Sequence, residues 1–122
     1  MTPPNQTWLI CGGRAFTKQP EAFAWLDNVA SLHGTPTLII QGGARGADHI
    51  AHEWGRARNI PVRTYPADWN QHGRSAGFIR NQQMLDEGKP CLVLALPGGR
   101  GTAHMTRIPR AAGIPVIEAV IP

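Results

Sequence analysis

Two glycine-rich stretches have residue types and spacing suited to holding an anion: Gly42-Gly43-Ala44-Arg45-Gly46-Ala47-Asp48 and Pro97-Gly98-Gly99-Arg100-Gly101-Thr102. Each follows a short apolar run, Thr37-Leu38-Ile39-Ile40 or Cys91-Leu92-Val93-Leu94-Ala95-Leu96, and each precedes a stretch able to form a helix. Strand, glycine turn and helix in that order aim free backbone N–H groups and a positive helix end at one point. A third turn, Gly12-Gly13-Arg14, follows the run Thr7-Trp8-Leu9-Ile10-Cys11. Glycine leaves the backbone free to approach a phosphate. Thr102 is placed to cap its helix or to bond a phosphate oxygen. Asp48 falls in the first helical turn, where it meets the dipole or accepts from a ligand hydroxyl such as a ribose. Any one of these turns alone is equally a tight connection with no ligand; three together point to a phosphate-bearing molecule.

A second group of residues lies between Pro66 and Ser75 and just beyond. Trp69 either stacks on a base or fills a gap in the core. Arg74 and Arg80 suit two-pronged contact with phosphate or carboxylate. Arg80-Asn81 sits among the core-type residues Ile79 and Met84, so the Arg80 head must leave at one end of its helix or find a partner. Several chemistries are excluded by pattern. No Gly-x-x-x-x-Gly-Lys-Ser/Thr motif occurs, no Gly-x-Gly-x-x-Gly follows the first strand, and no Gly-x-Ser-x-Gly elbow is present. His49, His52 and Glu53 read His-x-x-His-Glu, which is not the zinc-protease order, and we expect neither a metal nor a cofactor.

These residues need a frame. Apolar positions Phe23, Leu26, Val29 and Ala30 predict a helix over 20–32, stopped at Gly34. Ile50, Ala51, Trp54 and Ala57 predict a second over 47–58, and Phe78, Ile79, Met84 and Leu85 a third over 76–87. A fourth begins near Thr102 and should break at Pro109, because proline removes a donor and clashes with the preceding turn. Residues 66–75 read as a loop. Strands are expected at 7–11, 37–40, 61–65, 91–96 and 115–118. Strict alternation of short, wholly apolar strands with helices predicts an α/β fold. It is a three-layer, Rossmann-like, mainly parallel five-stranded sheet of order 3-2-1-4-5, with helices on both faces. In that order all three glycine turns gather at the carboxyl edge, where such sheets take ligands.

Length and composition agree with one globular domain of 122 residues, with 1–6 as a polar lead. Twelve basic residues against eight acidic ones give a net charge of +4, and ten of the twelve are Arg. That balance suits a small anionic ligand or nucleic acid, although Arg56, Arg58 and Arg63 read as solvated. No apolar run is long enough to span a membrane and the first residues do not resemble a leader, so the expected compartment is the cytoplasm. Cys11 and Cys91 fall in predicted strands and read as buried, reduced thiols. Trp8, Trp25 and Trp54 read as core, or failing that as an apolar patch.

Together, Gly12-Gly13-Arg14, the 42–48 turn, Ala67-Asp68-Trp69, Gly73-Arg74-Ser75-Ala76-Gly77, Arg80-Asn81 and the 97–102 turn resemble the YspA-type branch of the SLOG superfamily. The resemblance runs from about residue 8 to residue 118 and implies a Rossmann-like nucleotide-binding domain. The superfamily includes the "lonely guy" phosphoribohydrolases, nucleotide sensors of bacterial defence systems, and the DNA-processing protein A group, which binds single-stranded DNA. The enzymatic branch resembles Pro-Gly-Gly-x-Gly-Thr-x-x-Glu with an upstream Arg-Lys pair. Here the Glu position is Met105 and the pair reads Arg80-Asn81. A thioether cannot stabilise a developing oxocarbenium as a carboxylate does; Asp48, Glu53 and Asp68 are the acids left to substitute.

Three readings follow. The first is a binding or sensing domain for a nucleotide-derived, phosphate- and ribose-bearing ligand, with ADP-ribose-related compounds in the set. The second is a nucleotide N-glycosidase that releases a base from a nucleoside monophosphate. The third is single-stranded nucleic-acid binding, from the charge and Trp69. The resemblance further implies self-association into a homodimer or larger homo-oligomer.

Overall fold

The computed structural model describes residues 6–122, so the expected polar lead lies outside the described residues except for Gln6. The elements are β1 (Thr7–Cys11), α1 (Gln19–His33), β2 (Leu38–Gln41), α2 (Ala47–Ala57), β3 (Val62–Thr64), α3 (Trp69–His72), α4 (Ala76–Gly88), β4 (Leu92–Ala95), α5 (Arg100–Ala111) and β5 (Val116–Glu118). The five strands form one sheet of order β3-β2-β1-β4-β5, and every pairing is parallel. The expected fold class is the one observed.

Alternation along β1 explains the two apolar layers. Trp8 and Ile10 point to one face with Ile39, Leu92 and Leu94, and α1 and α2 cover them through Leu26, Val29, Ile50 and Trp54. Leu9 and Cys11 point to the other with Ile40, Val93 and Ala95, where Met84 and Leu85 of α4 and Met105 of α5 close the layer. Trp8 and Trp54 stack nearly parallel, ring centroids 5.9 Å apart. The Trp54 indole N–H reaches Asp27 on α1 at 2.9 Å, so both rings belong to the core and Trp25 is only partly buried. Arg58 is exposed but not merely solvated: its guanidinium pairs with Asp27 at 2.7 Å and lies over the Phe23 ring.

Four local expectations need correction. Residues 66–75 are not plain loop. Asp68 accepts from the Gln71 N–H at 3.0 Å and so caps the single turn of α3, which passes into a 3-10 turn at Gly73–Ser75. Phe78 and Ile79 are exposed at 47% and 43%, because the inward stripe of α4 runs through Asn81, Met84 and Leu85. The apolar pattern could not show that a hydrogen-bonded Asn would take an inward position. α5 begins at Arg100 and continues through buried Pro109 to Ala111. Proline in the last turn removes a single N–H, and its carbonyl still accepts from Ala112 and Ile114 at 3.0 and 2.9 Å. Cys91 is exposed, since β4 starts one residue later; Cys11 is buried as expected.

Candidate functional site

The three glycine turns are joined to each other by the backbone. Gly13 donates to the Pro97 carbonyl at 2.9 Å, and the Gly13 carbonyl accepts from Ala47, the first residue of α2, at 3.1 Å. A Cβ on Gly12 would lie 2.5 Å from the Cβ of Ala47 and 2.8 Å from that of Leu96, so β1, β4 and α2 meet at a distance only glycine permits. Gly99 and Gly101 differ: a Cβ on either would meet nothing within 4 Å. Their bare backbone faces open space at the start of α5, which has no side-chain cap. The first N–H groups of that helix are therefore free for an anion.

A cavity of about 730 Å³ lies at the carboxyl edge, between β1 and β4, with Gly99 and Gly101 in its lining. Its floor is apolar, formed by Cys11, Met84 and Met105, and Phe16 and Phe78 add aromatic wall. Gly98, Gly99, Gly101 and Thr102 bring the α5 N-terminus to it. Arg14, Arg74 and Arg80 supply positive charge, and Asp48 is its one carboxylate among the described residues. A smaller chamber of about 330 Å³ adjoins it and shares Arg14, Ala44, Trp69 and Arg80. Trp69 is 47% exposed, with the Arg14 guanidinium 5.2 Å from its ring centroid, so it is a wall of the site and not a plug in the core.

Arg80 finds its partners in backbone. One terminal N–H donates to the Gly42 carbonyl at 2.6 Å and toward the Tyr65 carbonyl at 3.5 Å. Its Nε donates to Asn81 Oδ1 at 3.1 Å, and Asn81 Nδ2 lies 3.1 Å from Nδ1 of His104 on α5. A Cβ on Gly42 would collide with this guanidinium. Gln41, buried at the end of β2, fixes the same turn: it accepts from Gly43 N–H and donates to Thr64 at 2.7 Å. Asp48 accepts from the Ala44 N–H at 3.1 Å. Burial pushes its carboxyl above the usual carboxylate value, opposed by backbone N–H groups of Ala44 and Gly42 and by Arg80 and Arg14. Burial lowers the proton affinity of Arg80, which Asp48 partly restores and Arg14 reduces again. The Cys11 thiol is pushed far up, chiefly by burial, and is held as neutral floor.

Most of the residues selected from the sequence line the larger cavity: Gly12, Gly13 and Arg14; Ala44 and Asp48; Trp69, Arg80 and Asn81; and Pro97, Gly98, Gly99, Gly101 and Thr102. Gly42, Gly43 and Arg45 line only the smaller chamber. Gly46 and Arg100 line neither. Gly46, with φ of +76°, packs against the backbone of Gly13 and Arg14, and Arg100 is exposed. Of the acids considered as substitutes, Asp68 caps α3 and Glu53 lies 4.0 Å from His49; neither lines the cavity. Sequence reasoning did not assign Phe16, Gly77, Phe78 or Met84 to the site. Only the helical register of α4 and the chain path after β1 bring them there.

A Rossmann-like parallel sheet with glycine turns converging on a cavity at its switch point defines the class. The family follows from similarity. Residues 9–72 match the model of the YspA, cpYpsA-related SLOG family. The chain is 38% identical over 119 residues to the Gene 61 protein of Mycobacterium phage D29, covering 90% of this chain and 93% of that one. The chain belongs to the YspA, cpYpsA-related SLOG family. A crystal structure of the C-terminal domain of a Pyrococcus furiosus hydrogenase is similar at a TM-score of 0.49 and 17% identity, covering 98% of this chain and 96% of that one. No helix among the described residues is long and apolar enough to cross a membrane.

Proposed function

We propose that this protein binds a nucleotide-derived ligand in the larger cavity and holds it without releasing its base. The observation that carries the reading is the pairing of an uncapped α5 N-terminus, bare at Gly99 and Gly101, with an apolar and aromatic compartment beside it. A phosphate fits the first and a base the second. Asp48 in the lining supports a bond to a ribose hydroxyl, and the half-exposed Trp69 ring supports stacking. At the position of the glycosidase Glu stands Met105, 1% exposed in the floor, which favours binding over hydrolysis.

The test is thermal denaturation against nucleoside mono- and diphosphates, ADP-ribose, NAD and short single-stranded DNA, with chromatography of the ligand afterwards. A ligand at one hundred times its dissociation constant adds about 2.7 kcal/mol, several degrees for a domain of this size. We expect a shift with a small nucleotide that is recovered intact. Base release would move the assignment to the glycosidase reading. A shift with DNA alone would move it to nucleic-acid binding.

A further inference from the structure

The smaller chamber is more cationic than its neighbour and contains no acid. Arg14, Arg45 and Arg80 line it with the backbone of Gly42 and Gly43, and Asp48 does not reach it. None of the three arginines is in an ion pair among the described residues. Arg14 makes its contact with the Trp69 ring, and Arg80 bonds carbonyls through Nη1 and Asn81 through Nε, which leaves its Nη2 without a hydrogen bond among the described residues. Three guanidinium groups border a space of about 330 Å³, and for Arg80 the favourable field of Asp48 outranks the opposing one of Arg14. An anion between them would find charge-assisted bonds suited to phosphate, and no carboxylate lines the chamber to compete for them. A phosphate on the α5 N-terminus would not serve here, because Gly99, Gly101 and Thr102 line only the larger cavity. The two spaces share Arg14, Ala44, Trp69 and Arg80 in their linings, so they lie side by side, and a ligand held in the larger one has the smaller one next to it.

We propose that the ligand carries a second anionic group beyond the one on the α5 N-terminus, held in the smaller chamber by Arg45, Arg14 and Arg80. This rests on the nucleotide reading above and narrows it. The class is a nucleoside bisphosphate or a pyrophosphate-linked nucleotide, and a nucleoside monophosphate is an incomplete ligand.

The test is calorimetric titration of the full chain with AMP, adenosine 3′,5′-bisphosphate and ADP-ribose, for the unaltered protein, Arg45→Gln and Arg45→Lys. Arg45 is exposed and bonded to no other side chain among the described residues, and melting curves verify that each variant is folded. At least one two-anion ligand is expected to bind about tenfold or more tighter than AMP, as one further charge-assisted contact provides. Arg45→Gln should bring that ratio close to one, and Arg45→Lys should retain part of it. Whichever of the two ligands wins identifies the source of the second anion. If AMP binds and neither two-anion ligand binds tighter, or if the preference survives Arg45→Gln, the second anion position is wrong while nucleotide binding stands. If none of the three binds, both readings fall.

Discussion

Arg80 is the side chain on which the site's geometry depends most. Its guanidinium bridges the Gly42 carbonyl on one turn and Asn81 on its own helix, and it lines both chambers. Arg80→Met leaves the stem and removes the donors. We expect a stability loss of about 1–3 kcal/mol in denaturant titration, because a part-buried carbonyl and an Asn oxygen lose partners. Nucleotide affinity should fall in parallel. The chain from Arg80 through Asn81 ends at His104, and this gives a pH dependence. Burial, with Arg107 adding, holds His104 below its ordinary value of 6.5. The unfolded chain therefore takes up the proton first as pH falls. The stability contributed by neutral His104 is complete above 6.5 and is lost as pH drops through the lower folded value. Protonation also turns Nδ1 from acceptor to donor against Asn81 Nδ2, so binding should weaken over the same window. Melting and affinity curves from pH 7.5 to pH 5 for the protein and for His104→Gln measure this. The variant should lose that step.

At the scale of elements, the turns act as one junction because glycine lets them touch. Gly12→Ala places a methyl 2.5 Å from Ala47 Cβ and 2.8 Å from Leu96 Cβ, so β1, α2 and β4 must separate. Overpacking of this kind costs about 1–3 kcal/mol, readable as a lower denaturant midpoint with an unchanged slope. The same elements show what the sequence could reveal. The strands were legible because a parallel strand buried on both faces must be apolar throughout, as Leu92–Ala95 is. Their order followed from right-handed crossovers. The glycine turns were legible because Gly12, Gly42, Gly46 and Gly98 stand where a Cβ would collide with a neighbouring turn or side chain. The α4 stripe was not, since it depends on Arg80 and Asn81 finding tertiary partners. Nor was α3, which one Asp68 cap holds. The division of the turn residues between two chambers was equally hidden. Arg45 lies only three residues from Asp48, yet they face different spaces.

For the whole molecule, the net charge of +4 is concentrated where it matters: Arg14, Arg45, Arg74 and Arg80 all border the two chambers. Arg58 and Arg110 are instead paired with Asp27 and Glu118. Nucleotide affinity should therefore fall as salt rises, though less steeply than for nucleic acid, where many phosphates are neutralised together; titrations at low and high chloride measure the slope. The central claim is that the ligand lies on the bare backbone of α5. Gly101→Leu tests it most directly. A Cβ there meets nothing within 4 Å, and replacing a helical glycine improves propensity by up to about 1 kcal/mol, so the fold should be kept or slightly strengthened. Gly101 lines the larger cavity, so the added side chain is expected to compete with a phosphate bound there. The decisive measurement is nucleotide titration calorimetry on the protein and Gly101→Leu side by side. The account predicts binding by the first and none by the second, at equal or higher melting temperature. Undiminished binding by Gly101→Leu, or no binding by the unaltered protein, would contradict it.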